Sequence, residues 1–178
     1  LLLETGNFNK MRKEGTFNPF DTEKQVVICS YNFASRKADF LHAVPWDLVI
    51  MDEAHRLRNV YKNSNVTGKR LKAALQGRKK LLLTATPLQN NLMELYGLVS
   101  MIDEHVFGDA KTFREMYVSV QNQELRNRTL RKRLQPFCRR TLRKQVTEYV
   151  RYTERLPILQ EYTPTEEEEN LYNFISAY

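Results

Sequence analysis

"DLVIMDEAHRLRN", residues 47–59, is the stretch on which the reading of this chain turns. Four apolar residues, Leu48 to Met51, run directly into two carboxylates, Asp52 and Glu53. A short apolar run of this kind is consistent with a strand buried on both faces. In an open α/β sheet the working residues gather at the carboxyl ends of the strands, and Asp52 and Glu53 stand at such an end. One carboxylate there can hold Mg²⁺ through oxygen, usually with waters retained. A second beside it can orient or deprotonate a water. Two adjacent acids divide these jobs, because a metal-bound carboxylate is a poor base. On these two residues alone, a solvated pair closing a strand is the more economical reading.

Three further apolar runs read as strands: Leu1–Thr5, Gln25–Tyr31 and Lys80–Thr86. None alternates cleanly, so a mostly parallel sheet covered on both faces is expected. Residues 34–43 and 66–76 fit amphipathic helices, the second with Val66, Leu71, Ala74 and Leu75 near one face. Strands alternating with helices give βαβ units with right-handed crossovers. After Thr86 the strands stop. Residues 90–102 place Leu92, Leu95, Val99 and Ile102 on one helical stripe. Residues 110–120, 122–134 and 137–150 read as helical, with a break at Pro136. Residues 154–162 read as extended around Pro157. A last helix follows, with Thr163 as cap, Pro164 in first position and Glu166 closing a capping box.

Composition agrees with a folded chain. It is 42% hydrophobic and 28% charged over 178 residues, which argues against disorder. No apolar run approaches the roughly 18 residues of a membrane span. The start "LLLETGNFNK" has no basic region typical of a secretory leader and no initiator Met, so a piece of a longer protein is expected. Cys29 and Cys138 lie far apart and read as free thiols of a reducing compartment. His42, His55 and His105 form no ligand-spaced cluster. The formal charge of +7 is concentrated: residues 121–160 hold eleven Lys/Arg against three Asp/Glu. That excess points either to a polyanion partner or to a strongly solvated helical surface.

The second chemical feature is "KLLLTATPLQN", residues 80–90. This run ends in Thr84 and Thr86, followed by Pro87, Gln89 and Asn90. In a parallel sheet its end faces the same crevice as Asp52. Threonine hydroxyls there can link the acids to a neighbour by hydrogen bonds. Apolar-DEAH followed by apolar-TATPLQN is a specific pair of signals.

With these two motifs the sequence resembles the SWI/SNF-type branch of superfamily-two helicase-like ATPases. "DEAH" at 52–55 is similar to motif II, and "LLLTATPLQN" at 81–90 to motif III. The resemblance continues through "NLMELYGLVSMID", "VFGDAKTFREMY" and "LQPFCRRTLRKQV", and reaches "TPTEEEENLY". "ETGNFN" and "VVICSYNFAS" have the style of bacterial members. The resemblance implies an α/β fold. It would be the later part of a RecA-like (P-loop NTPase) first lobe over 1–120, a basic helical connector over 121–160, and the threshold of a second lobe over 161–178. It implies ATP and Mg²⁺ as the parent's ligands, with Asp52 on the metal through water and Glu53 activating the hydrolytic water. His55, Thr84, Thr86 and Gln89 would couple that site to nucleic acid. Ser30, Tyr31 and Asn32 would touch the nucleic-acid backbone. The implied partner is duplex DNA, with RNA polymerase or another nucleoprotein complex as a variant, and no membrane. The implied place is the cytoplasm, on the nucleoid in a bacterium.

The sequence also departs from that pattern. No G-x-x-x-x-G-K-[ST] loop occurs in these residues. "TGKR" at 67–70 is a decoy: Asn63 stands at the first glycine position, and Arg70 replaces the hydroxyl. The fragment is therefore expected to be inactive, although the resemblance implies an ATPase parent. Without the phosphate-loop strand, 80–86 is expected to keep a free edge through which copies could associate. In the connector, Arg131, Lys132, Arg133, Arg139 and Arg140 are candidates for phosphate contact. Equally, 122–134 reads as a solvated face that packs Leu125, Leu130 and Leu134 inward. A non-catalytic nucleic-acid-binding or scaffold domain with relic motifs is the alternative from another class.

Overall fold

The computed structural model describes residues 1–22, 26–141 and 156–177. The chain divides into two compact units, Leu1–Cys138 and Arg139–Tyr178.

In the first unit, α1 (Thr5–Lys13), α2 (Tyr31–Arg36) and α3 (Ala38–His42) precede strand β1 (Val49–Met51). A single turn of tight helix, Ala54–Leu57, leads on to α4 (Val66–Ala74) and β2 (Lys80–Leu82). Then come α5 (Leu92–Ile102), α6 (Ala110–Phe113) with a wider π turn at Arg114–Val118, and α7 (Gln123–Leu134). β1 and β2 pair in parallel, with Val49 opposite Lys80 and Met51 opposite Leu82. The α/β class and the parallel pairing expected from the apolar runs are therefore present, consistent with a partial RecA-like lobe.

The sheet is smaller than the four runs suggest. Leu1–Thr5 and the described part of Gln25–Tyr31 meet only as a parallel bridge, Leu2 to Ile28. The Leu3 N–H donates to the Ile28 carbonyl, and the Ile28 N–H to the Leu1 carbonyl, both across 2.8 Å. Helices cut both runs short. Thr5 opens α1, and the Ser30 hydroxyl accepts the Phe33 N–H to cap α2. Gln25 lies outside the described residues. β2 has β1 as its one strand neighbour among the described residues.

Both faces of the sheet were expected to be covered, and one is. Val49, Met51 and Leu82 join a cluster with Phe8, Phe33, Leu57, Leu71 and Leu98. α2, α3 and α4 pack together over that side. Leu48, Ile50, Leu81 and Leu83 alternate to the other side and are exposed, 58% for Ile50. The described helices supply no second layer there.

Two apolar clusters make the core. The first centres on Phe8, whose ring lies 5.3 to 5.9 Å from those of Phe40, Phe33 and Phe20. That contact explains α1, which the 3.6-residue pattern does not reveal: Phe8 is its one buried side chain. The second cluster gathers Met93, Val99, Phe107, Phe113, Tyr117 and Leu130. Phe113 is fully buried, with the Phe107 ring at 4.9 Å and the Tyr117 ring at 5.0 Å.

α5 serves both clusters. Leu98 and Met101 belong to the first, and Met93 and Val99 to the second. The stripe expected at Leu92, Leu95, Val99 and Ile102 is therefore only part of its buried surface. Leu92, Leu95 and Ile102 are half-buried, whereas Met93, Gly97, Leu98 and Met101 are buried. A helix apolar nearly all round is enclosed on more than one side. On α4, Leu71, Ala74 and Leu75 are buried as expected, but Val66 in the first turn is exposed. On α7, Leu130 is buried and Leu134 half-buried, whereas Leu125 points outward. Leu125 is five residues before Leu130, well over a quarter turn round the helix from it.

In the second unit the described residues hold one helix, α8 (Glu166–Ser176). Its cap is Thr165, not Thr163, and Glu168 closes the box: the Thr165 hydroxyl accepts the Glu168 N–H, and the Glu168 carboxylate accepts the Thr165 N–H. This later start leaves Pro164 outside the helix and puts four carboxylates, Glu166 to Glu169, in the first turn. Of the helix expected at 137–150, residues 138–141 are irregular and 142–150 lie outside the described residues. Residues 156–162 have no regular structure.

Candidate functional site

β1 and β2 deliver the two motifs side by side. The Leu83 N–H donates to the Met51 carbonyl, and the Ala54 N–H donates to the Leu83 carbonyl, both across 2.9 Å. The parallel register thus continues past the strands. It carries Asp52 and Glu53 on one segment and Thr84 on the other to the same end of the sheet.

Asp52 and Glu53 are both exposed. Glu53 adopts a left-handed backbone, φ 49° and ψ 44°, the one non-glycine residue with positive φ among those described. Such a conformation costs on the order of 1 kcal/mol and persists where its surroundings fix it. Three contacts fix it here. The Glu53 N–H donates to Asp52 Oδ1 at 2.9 Å. The Ala54 N–H is tied to Leu83. The Tyr31 hydroxyl donates to the Asp52 carbonyl at 2.6 Å. Burial, reinforced by the Asp52 charge, pushes the Tyr31 hydroxyl up to about 12, so it remains a donor at neutral pH.

His55 Nδ1 lies 3.1 Å from Glu53 Oε2. The approach is not aligned for a hydrogen bond, and Nδ1 has no such partner among the described residues. The pair is ionic only when the imidazole is protonated. Thr84 Oγ1 accepts the Thr86 N–H at 3.2 Å, closing the turn after β2. No hydrogen bond joins His55 to either threonine among the described residues.

The donor set can accept a Mg²⁺ ion. No group of three acids, histidines or cysteines arranged to hold a metal occurs among the described residues. Mg²⁺ typically takes one or two carboxylates and keeps waters and phosphate oxygens for the rest. Asp52, with Oδ1 accepting the Glu53 N–H and Oδ2 without a hydrogen bond among the described residues, suits that pattern. The decoy "TGKR" does not compete: Gly68 lies inside α4, and Lys69 Nζ donates to Asn63 Oδ1 at 2.7 Å. A cleft of about 730 Å³ lies elsewhere, lined by Lys72, Lys80, Asp103 and Glu104 among others. It includes none of the candidate residues Asp52, Glu53, His55, Thr84, Thr86 or Gln89, so strand ends and not cavity size locate this site.

Sequence reasoning missed Glu94, on the first turn of α5. It is 2% exposed. Its Oε2 accepts the N–H of Gln89 at 2.8 Å and of Asn90 at 3.1 Å. Its Oε1 accepts the Asn90 amide at 3.2 Å and sits 3.6 Å from Arg58 Nε. Burial raises the carboxyl, but the donors and the Arg58 charge outweigh it and hold it below the usual glutamate value. Gln89 thus meets the site through its backbone, while its side chain stays exposed. A lone acid in "LMELYGLVSMI" was the available signal, since a buried carboxylate must be paired.

Of the remaining candidates, Tyr31 alone reaches this site among the described residues. The Ser30 hydroxyl is used as a helix cap, the Tyr31 hydroxyl holds the Asp52 carbonyl, and Asn32 is exposed. On α7, Arg131, Lys132 and Arg133 are all exposed, and Arg133 Nε donates to the Val106 carbonyl at 2.8 Å. Leu130 and Arg133 bind α7 into the first unit. Arg139 and Arg140 fall in the second unit and are exposed.

Comparison with known proteins adds the family. A profile described as "SNF2-related domain" matches residues 5–177. The chain is 35% identical over 115 residues to the ISWI chromatin-remodeling complex ATPase ISW2 of Saccharomyces cerevisiae, covering 63% of this chain and 10% of that protein. It is 34% identical over 131 residues to the CHD3-type chromatin-remodeling factor PICKLE of Arabidopsis thaliana, 71% of this chain and 9% of that one. It is 42% identical over 94 residues to the DNA repair and recombination protein RAD54 of Oryza sativa subsp. japonica, 52% and 9%. The chain spans about a tenth of the length of these relatives.

Proposed function

Because the chain belongs to the SNF2-related domain family, we propose that it carries the metal-and-water half of an ATP site in a motor that works on DNA. The observation that carries this reading is the Ala54–Leu83 hydrogen bond, which sets the acids of one motif beside the threonines of the other. The names of relatives, chromatin-remodeling ATPases and a DNA repair and recombination protein, support a nucleic-acid partner.

Asp52 is the residue that would hold Mg²⁺, through water, with Oδ2. The bound ion would offset charge on the phosphate oxygens. Glu53 is the candidate base: its carboxylate is solvent-facing and its backbone is locked by its neighbours. His55, against the Glu53 carboxylate, can steady that side chain. Thr84 and Thr86 shape the adjoining turn and present the loop that runs to Gln89.

The 178 residues alone are proposed to be inactive, since the lysine and glycines that would cradle phosphates are not among them. The parent protein would move along duplex DNA or remodel nucleoprotein complexes, RNA polymerase among the candidates. Self-association of the isolated chain through the edge of β2 that no described strand covers belongs to the same proposal. The bacterial assignment rests on "ETGNFN" and "VVICSYNFAS" alone. Hydrolysis by the full-length protein, measured with duplex DNA, single-stranded DNA, RNA and no nucleic acid, tests the reading. Stimulation by duplex DNA is expected, and a rate unmoved by every nucleic acid would contradict it.

A further inference from the structure

We infer that Glu94 is a positioning residue that fastens the loop after Thr86 to the segment after His55, making the two motifs move as one piece. The inference rests on the proposed motor reading.

Apart from the local Thr86–Thr84 bond, the hydrogen bonds of loop residues 85–90 among the described residues all end on the Glu94 carboxylate. Pro87, Leu88, Gln89 and Asn90 are otherwise exposed. One buried side chain therefore holds the loop. The same carboxylate is neutralised by Arg58, whose side chain is 19% exposed. Arg58 follows the "DEAH" turn directly, three residues after His55.

A second contact makes the link stiff. A Cβ on Gly97 would lie 1.9 Å from the Arg58 carbonyl oxygen. The Arg58 backbone thus rests directly on α5, one turn beyond Glu94. Arg58 is gripped twice by one helix, through its side chain at Glu94 and its backbone at Gly97.

Plain helix capping accounts for less than this. Asn91 is the cap of α5 and Glu94 its third residue. A capping box would return the acid to the Asn91 N–H. Glu94 instead reaches past the cap to Gln89 and Asn90. The geometry suits a clamp between two segments. Displacing either motif would break charge-assisted bonds in a dry site, which is how packed networks carry coupling.

The test uses the full-length protein and compares the native pair with Arg58→Met/Glu94→Gln. The double substitution leaves no buried unpaired charge and keeps an acceptor oxygen for the loop, so folding should survive. ATP hydrolysis is measured across ATP concentrations with and without duplex DNA, alongside a melting midpoint. The inference expects the DNA stimulation ratio to fall about tenfold. Basal kcat, KM for ATP and the midpoint should stay close to native. Native-like stimulation in the folded double variant would overturn the inference and leave the motor reading standing. An equal loss of basal and stimulated rates, or failure to fold, would overturn it in favour of a structural pair. Absence of stimulation in the unsubstituted protein would overturn the motor reading, and the inference with it.

Discussion

The backbone N–H of Ala54 donates to the carbonyl oxygen of Leu83 across 2.9 Å. Two segments separated by a helix are thereby set edge to edge just where β1 and β2 end. Asp52 and Glu53 precede that bond on one side, and Thr84 follows it on the other. The chemistry assigned to this chain depends on that alignment.

Gly97 is required by close backbone approach and not by its φ. Gly97→Ala would drive a methyl to within 1.9 Å of the Arg58 carbonyl oxygen. Relief requires α5 and the Arg58 segment to part, at a cost of about 2–3 kcal/mol. A clear fall in the denaturation midpoint is expected. An unchanged midpoint would mean the two segments are not in contact.

The second apolar cluster should be sensitive to volume at Phe113, which is fully buried among Tyr96, Phe107 and Tyr117. Phe113→Ala should cost about 3–5 kcal/mol through lost burial and an unfilled cavity. Phe113→Leu keeps most of the volume and should cost about 1 kcal/mol. Equilibrium unfolding distinguishes the two, and equal effects would place Phe113 outside the core.

Acid should loosen the Glu94 clamp. Its folded-state pKa lies below the ordinary value of 4.5. The stabilisation is therefore complete above that value, and it is lost as pH falls through the lower folded pKa. Melting midpoints taken downward from pH 6 should drop less steeply below about pH 4.5 in Arg58→Met/Glu94→Gln than in the native pair. Parallel profiles would show that Glu94 is not held in its charged form.

The basic residues of α7 should not behave alike. Lys132 is exposed, so Lys132→Ala should reduce the slope of log binding against log salt by about one for duplex DNA, with stability unmoved. Arg133 is tied to the Val106 carbonyl, so Arg133→Ala should lower stability and alter the salt slope less. Filter binding across a salt series and a melting curve separate them. A salt slope untouched by Lys132→Ala would remove α7 from the nucleic-acid surface.

Much of this architecture was legible because burial and periodicity speak directly. Val49–Met51 and Lys80–Leu82 form the expected parallel pair, and α4, α5 and α7 appear within a few residues of their patterns. The misses have common causes. α1 is polar except for Phe8, so only tertiary contact identifies it. Ser30 and Thr165 offered capping oxygens that moved helix starts away from the expected positions. At the site, adjacency of the two motifs could be inferred from strand ends. The left-handed Glu53 and the Tyr31–Asp52 bond could not, since each depends on packing between distant segments. Glu94 was hidden because an acid early in a helix ordinarily reads as a favourable dipole contact.

The central claim is that Glu53 serves as the base of an ATP site. Glu53→Gln removes the basic carboxylate, and the exposed side chain, 62% accessible, contributes little to packing. DNA-stimulated ATP hydrolysis by the full-length protein should fall by about 10²–10⁴-fold, with nucleotide binding and the melting midpoint retained. Hydrolysis at the native rate in a folded Glu53→Gln protein would contradict the account.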